Sequence, residues 1–89
     1  MKNVFDPAKH YMALVSGQHF ETNGIFYEMP GRFAADTVDR FDPLTQEREF
    51  AVFTVDEPDE KSPAYPFTRA GTFYLPMSVL SLNPPREIP

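Results

Sequence analysis

The side chains able to do chemistry in this chain are few and far apart. His10 and His19 are its only two histidines, and there is no cysteine. A covalent mechanism needs a thiol or hydroxyl beside an oriented base. Ser16, Ser62, Ser78 and Ser81 carry no glycine-elbow pattern that would set one up. Metal binding through His10, His19, Glu21 or Glu28 has no ligand spacing behind it. Asp36, Asp39 and Asp42 recur every three residues, but a calcium loop wants oxygens at alternate positions with a glycine at the sixth. Arg40, set among them, supplies a counter-charge. Gly17, Gly24, Gly31 and Gly71 are scattered, so no phosphate-cradling loop exists. An acid–base carboxylate pair would need a pocket that splits its pKa values, for which 89 residues leave little room. The expectation is a non-enzyme without cofactor or metal.

The aromatic residues are more informative. Phe26-Tyr27 and Phe73-Tyr74 are adjacent pairs, so in strands one member of each must face away from the core. An outward ring often anchors a protein interface. Base-stacking platforms interleave such rings with Lys and Arg, whereas the sequence neighbours here are Glu28 and Thr72. A protein partner is therefore expected over direct nucleic acid. The competing reading is that the Pro-rich stretch 62–67 covers the second ring.

Charge is uneven along the chain. Residues 1–35 balance, and residues 61–89 carry a net of +2. Residues 36–60 hold nine acids against Arg40 and Arg48, a net of −7 within a total of −5. Such a zone disfavours a phosphate backbone as main partner and is otherwise a solubilising surface. As a binding surface, Asp36, Asp39, Asp42, Glu47 and Glu49 would meet a larger protein with a basic face. In a sharper form they would mimic a nucleic acid in its phosphate groove.

These residues need a scaffold. Hydrophobic residues make up 42% of the chain and aromatics 15%, the composition of a folded domain rather than a disordered tail. No apolar run is long enough to cross a bilayer, and the start lacks a signal-peptide pattern. With no Cys, a soluble cytoplasmic protein is expected.

Asp6-Pro7 before Ala8, Tyr11, Met12 and Val15, with Gly17 after, favours a short helix over 7–16, with a strand over Tyr11–Val15 as the competing reading. Asn23-Gly24 predicts a hairpin within Gln18–Met29, and Pro30-Gly31 the break of its second strand. Residues 33–41 fit a helix or a strand. Arg48–Val55 is the clearest strand, apolar on both faces and hence central. Residues 56–63 read as an exposed loop, and Gly71–Leu75 as a further strand ended by Pro76.

The stretch Gly71-Thr72-Phe73-Tyr74-Leu75-Pro76-Met77-Ser78-Val79-Leu80 resembles the end of SH3-like barrels, where a strand meets a proline, a tight helical turn and a closing strand. The chain has no Trp to match the paired tryptophans of that family, and its acidic ligand-binding loop has no counterpart. The resemblance covers those residues only and implies a barrel. The fold expected is mainly β, a small twisted antiparallel sheet or SH3-like barrel with one or two short helices. Residues 1–82 form one domain and 83–89 an extended Pro-rich tail, mobile and with polyproline II character. The leading expectation is a non-catalytic protein-interaction module, in the style of phage or mobile-element accessory proteins that inhibit or adapt a larger host protein. The alternative is a structural subunit of an assembly such as a virion or tail, and homo-oligomers are compatible with either.

Overall fold

The computed structural model describes residues 5–16, 26–43, 46–56, 60–61 and 71–89. The expected Asn23-Gly24 turn, the 62–67 cover and His19 lie outside these. Six strands form one antiparallel sheet: β1 (His10–Ser16), β2 (Phe26–Phe33), β3 (Val38–Asp39), β4 (Glu49–Val55), β5 (Thr72–Pro76) and β6 (Arg86–Ile88). One helix, α1 (Met77–Leu82), separates β5 from β6.

The core occupies one face of this sheet. Tyr11, Ala13, Val15, Met29, Phe33, Ala51, Phe53, Val55, Phe73 and Leu75 are buried there, alternating along their strands as the period of two requires. Leu80 and Met77 of α1 and Phe5 of the N-terminal segment pack against them. Phe5 stacks on Phe33 at 4.3 Å between centroids, and Tyr11 meets both rings edge-on. Burying one such ring is worth about 1.5–3 kcal/mol relative to leaving it in water.

The helix expected over residues 7–16 is a turn followed by β1. Asp6 Oδ1 accepts from the Ala8 N–H at 2.9 Å, and Asp6 O accepts from the Lys9 N–H at 3.1 Å. An aspartate with proline next to it caps a helix or starts a β-turn equally well. Here only the turn forms. Beyond it, Tyr11, Ala13 and Val15 are buried at alternate positions, and β1 is paired on both edges, with β2 and with β6.

Pro30-Gly31 does not break β2, which runs on to Phe33. Along β2, Arg32 faces Thr54 of β4, so Pro30 faces Asp56. Pro30 O accepts from the Asp56 N–H at 3.0 Å. The return bond would need the N–H that proline lacks. Proline thus ends the ladder with β4 while the ladder with β1 continues through Gly31.

Residues 33–41 are neither a helix nor one continuous strand. Phe33 pairs with Phe53 and Val38 with Phe50, so five steps on one side match three on the other. The two extra residues make an interruption between β2 and β3. β2 and β3 therefore lie end to end along one edge of β4, with β5 along the other.

The order strand, proline, helical turn, strand after Gly71 matches the local resemblance. The sheet is nevertheless not closed into a barrel. β5 and β6, at opposite sides of the sheet, are not paired with each other among the described residues. The C-terminal segment is extended, and its residues 86–88 are incorporated as the strand beside β1, instead of hanging free as a mobile tail.

Two glycines test this packing. A Cβ at Gly31 would collide with the Thr54 carbonyl oxygen and come within 2.6 Å of Phe53 Cζ. Gly71 has a φ of +82° but nothing within 4 Å of an added Cβ. Gly31→Ala is therefore expected to cost about 3 kcal/mol or more, and Gly71→Ala about 1 kcal/mol. Urea unfolding midpoints check the order, which must not reverse.

Candidate functional site

The face of the sheet opposite the core is built by the even-numbered residues of its strands. In β4 these are Phe50, Val52 and Thr54, opposite Pro76, Tyr74 and Thr72 of β5 and, at Phe50, opposite Val38 of β3. Phe50 is only 7% exposed yet does not belong to the core cluster. It is buried on the outer face by what lies over it.

The chain leaving β3 lines the same outer-face cleft as Phe50. The Arg40 N–H donates to Arg48 O at 2.7 Å, which extends the β3–β4 ladder by one pair. The Asp42 N–H donates to Glu47 O at 2.8 Å, and the Gln46 N–H to Asp42 O at 2.7 Å. This closes a turn in which Gln46 takes a φ of 61°, a left-handed geometry that strains a residue with a Cβ. The turn holds Phe41 and Pro43 beside the sheet. Arg40, Phe41, Asp42, Pro43, Phe50 and Tyr74 line an open cleft of about 380 Å³. That volume lies at the lower end for ligand sites.

Two arginines cap the rings of this cleft. The Arg40 guanidinium lies 5.5 Å from the centre of the Tyr74 ring, and that of Arg48 lies 5.4 Å from the centre of Phe41. Each contact contributes on the order of 0.5–1 kcal/mol at an exposed site. Phe41 is 53% exposed and Tyr74 42% exposed. Among the described residues neither arginine is paired with a carboxylate.

The residues singled out by sequence separate into three groups. Phe73 enters the core and Tyr74 faces out into the cleft. Phe26 and Tyr27 stand in β2 opposite Ser16 and Val15, away from the strands that form the cleft. The acids do not form a common surface with the rings. Glu49 accepts from Thr37 Oγ1 at 3.0 Å, and Glu47 accepts from the Ser78 hydroxyl of α1. Asp39 sits directly across from Glu49, Asp36 is exposed nearby, and only Asp42 lines the cleft. Arg40, Arg48, Phe41, Pro43 and Phe50 were not singled out as site residues. Arg40 reads from sequence only as a counter-charge to the neighbouring aspartates, and Phe41 carries no signal beyond lying in an ambiguous segment. The equal apolarity of both faces of β4 was the one pointer to Phe50.

His10 has a partner. Its Nδ1 is 2.7 Å from Asp56 Oδ2, with the ring half exposed, at the far side of β2 from the cleft. A carboxylate orienting a histidine is one part of a catalytic arrangement. Among the described residues no hydroxyl is hydrogen-bonded to the ring, and no group of three His, Cys, Asp or Glu side chains is placed to hold a metal ion. No described helix is long and apolar enough to cross a membrane. Comparison with known proteins finds no match to the chain among protein-family models, curated proteins or solved structures. Fold and site together define a small antiparallel β-sheet protein with an arginine-capped aromatic cleft on its outer face.

The two members of the Phe73-Tyr74 pair should respond differently to truncation. Phe73→Ala is expected to cost about 3–5 kcal/mol, and Tyr74→Ala about 1 kcal/mol from lost cross-strand and cation contacts. Thermal unfolding of both variants separates these outcomes. Gln46→Gly relieves the left-handed strain and is expected to stabilise by about 0.5 kcal/mol, visible as a raised urea midpoint.

Proposed function

We propose that this chain is a non-catalytic protein-interaction module whose contact surface is the outer-face cleft. One observation carries the reading. Phe41 and Tyr74, two large rings, stay exposed on either side of a cleft whose floor is the buried Phe50. Rings held in fixed geometry at a surface offer contact area at low entropic cost, which is why aromatics and arginine dominate interface hot spots. The capping arginines supply the orientation that a bare apolar patch lacks. Asp36 and Asp39 are exposed carboxylates outside the cleft, with Asp39 on the other face of the sheet. Inhibition or adaptation of a larger protein is the form of activity that suits a binding surface on so small a chain.

The test compares the native chain with a Phe41→Ser/Tyr74→Ser variant, both immobilised, in extracts of the source cell. A defined larger protein retained by the first and lost by the second is the expected result, with affinity falling by on the order of tenfold per ring. Retention of copies of the chain alone would replace this reading with that of a self-assembling subunit. Retention that ignores both substitutions would remove the cleft from the interface.

A further inference from the structure

The chain is acidic as a whole, but its fold turns arginines towards the outer face. Arg32, opposite Thr54, and the cross-strand neighbours Arg40 and Arg48 all stand at even-numbered positions, on the side of Phe50 and Tyr74. None of the three has a carboxylate partner among the described residues. Of the other basic side chains in the sheet, His10 lies against Asp56 and Arg86 pairs with Glu28. Like charges directly across a β-ladder are destabilising, so Arg40 and Arg48 side by side need a counter-ion that the described residues do not supply.

Resting on the reading that the cleft is a protein-binding surface, we infer that its partner is a short acidic segment of another protein. Its carboxylates meet the Arg40 and Arg48 guanidinium groups, and an adjoining apolar side chain fills the space between Phe41, Phe50 and Tyr74. Three features select this occupant. A guanidinium over a ring face keeps its in-plane N–H donors free, which is the fork a carboxylate accepts. The ring faces themselves carry guanidinium groups 5.4–5.5 Å away, so a nucleic-acid base would have to displace them to stack. A net charge of −5, with Asp42 in the cleft wall, repels a long polyanion but leaves a short local match intact. The sequence alone suggested a basic partner because acids outnumber bases around residues 36–60. In space, Arg40 and Arg48 stand over the rings of the cleft, and of the candidate acids only Asp42 lines it.

The test is selection of a random-peptide display library on the full chain, with a single-stranded oligothymidylate measured alongside. Peptides combining Asp or Glu with an apolar residue are expected to be enriched. An enriched peptide should bind an Arg40→Gln/Arg48→Gln variant at least about tenfold more weakly and an Asp36→Asn/Asp39→Asn variant no more weakly than the native chain. Arg40→Lys/Arg48→Lys, which keeps the charge but loses the fork, should fall between. Unfolding midpoints near the native value show that the arginine variants fold; if the Gln pair does not fold, the Lys pair decides. Enrichment of basic peptides, lost on Phe41→Ser, overturns the acidic partner and keeps the cleft as a protein-binding surface. Acidic peptides bound equally well by the arginine variants also overturn the inference. No enrichment, enrichment unaffected by Phe41→Ser and Tyr74→Ser, or oligothymidylate bound more tightly than any peptide overturns both readings.

Discussion

The structure depends on how closely β2 and β4 approach at Gly31. β6, β1 and β2 make one half of the sheet and β3, β4 and β5 the other. Among the described residues the halves are joined through three register pairs, Gly31 with Val55, Arg32 with Thr54 and Phe33 with Phe53. The Phe53 ring takes the place that a side chain at position 31 would fill, and Phe53 is wholly buried as a result. Its contact with Phe33, at 4.8 Å between centroids, ties this junction to Tyr11 and Phe5. The proline and the two-residue interruption on either side confine the junction. One removes a donor, and the other shifts the register.

That shift also makes the cleft. A continuous β2 would have carried its pairing straight down β4, and residues 40–43 would not have come to line a cleft with Phe50. The interruption lets β3 rejoin β4 for two residues, after which the chain turns over the outer face. The site is a by-product of how one long edge of β4 is shared between two short partners.

Much of the fold was legible because its signals were local. β4 reads as central from apolar residues on both faces, and it is paired on both edges. Adjacent rings at Phe73-Tyr74 oblige one to face out, and Tyr74 does. The helix over 7–16 failed because Asp-Pro opens either a turn or a helix, and Tyr11 and Val15 satisfy both periods. Tertiary pairing with β2 and β6 decides between them, and no local window contains it. Gly31 similarly reads as a breaker until Phe53, 22 residues on, is seen to occupy its missing side chain. The acidic zone was legible as composition, but not as geometry. Which acids bond internally, as Glu47 and Glu49 do, depends on Ser78 and Thr37 being brought to them. The cleft was the least legible part, since Arg40 and Tyr74 stand 34 positions apart and meet only through β4.

The pairing of Arg40 with Arg48 bears most directly on function. Opposite charges across a ladder stabilise and like charges destabilise, by about 0.2–1 kcal/mol, and this chain has acids in abundance a residue away on either strand. Asp39 and Glu49, the next pair along, repeat the same violation with the opposite sign on the other face. Exchanging one member of each pair would relieve both repulsions without touching the core. The sheet instead sets Arg40 beside Arg48 on its outer face and Asp39 beside Glu49 on the other. Stacking on Phe41 and Tyr74 offsets part of the cost on the cationic side. Local rules broken together around an exposed cleft are where a sequence serves something other than its own stability, and on the proposed reading the counter-ions are a partner's carboxylates.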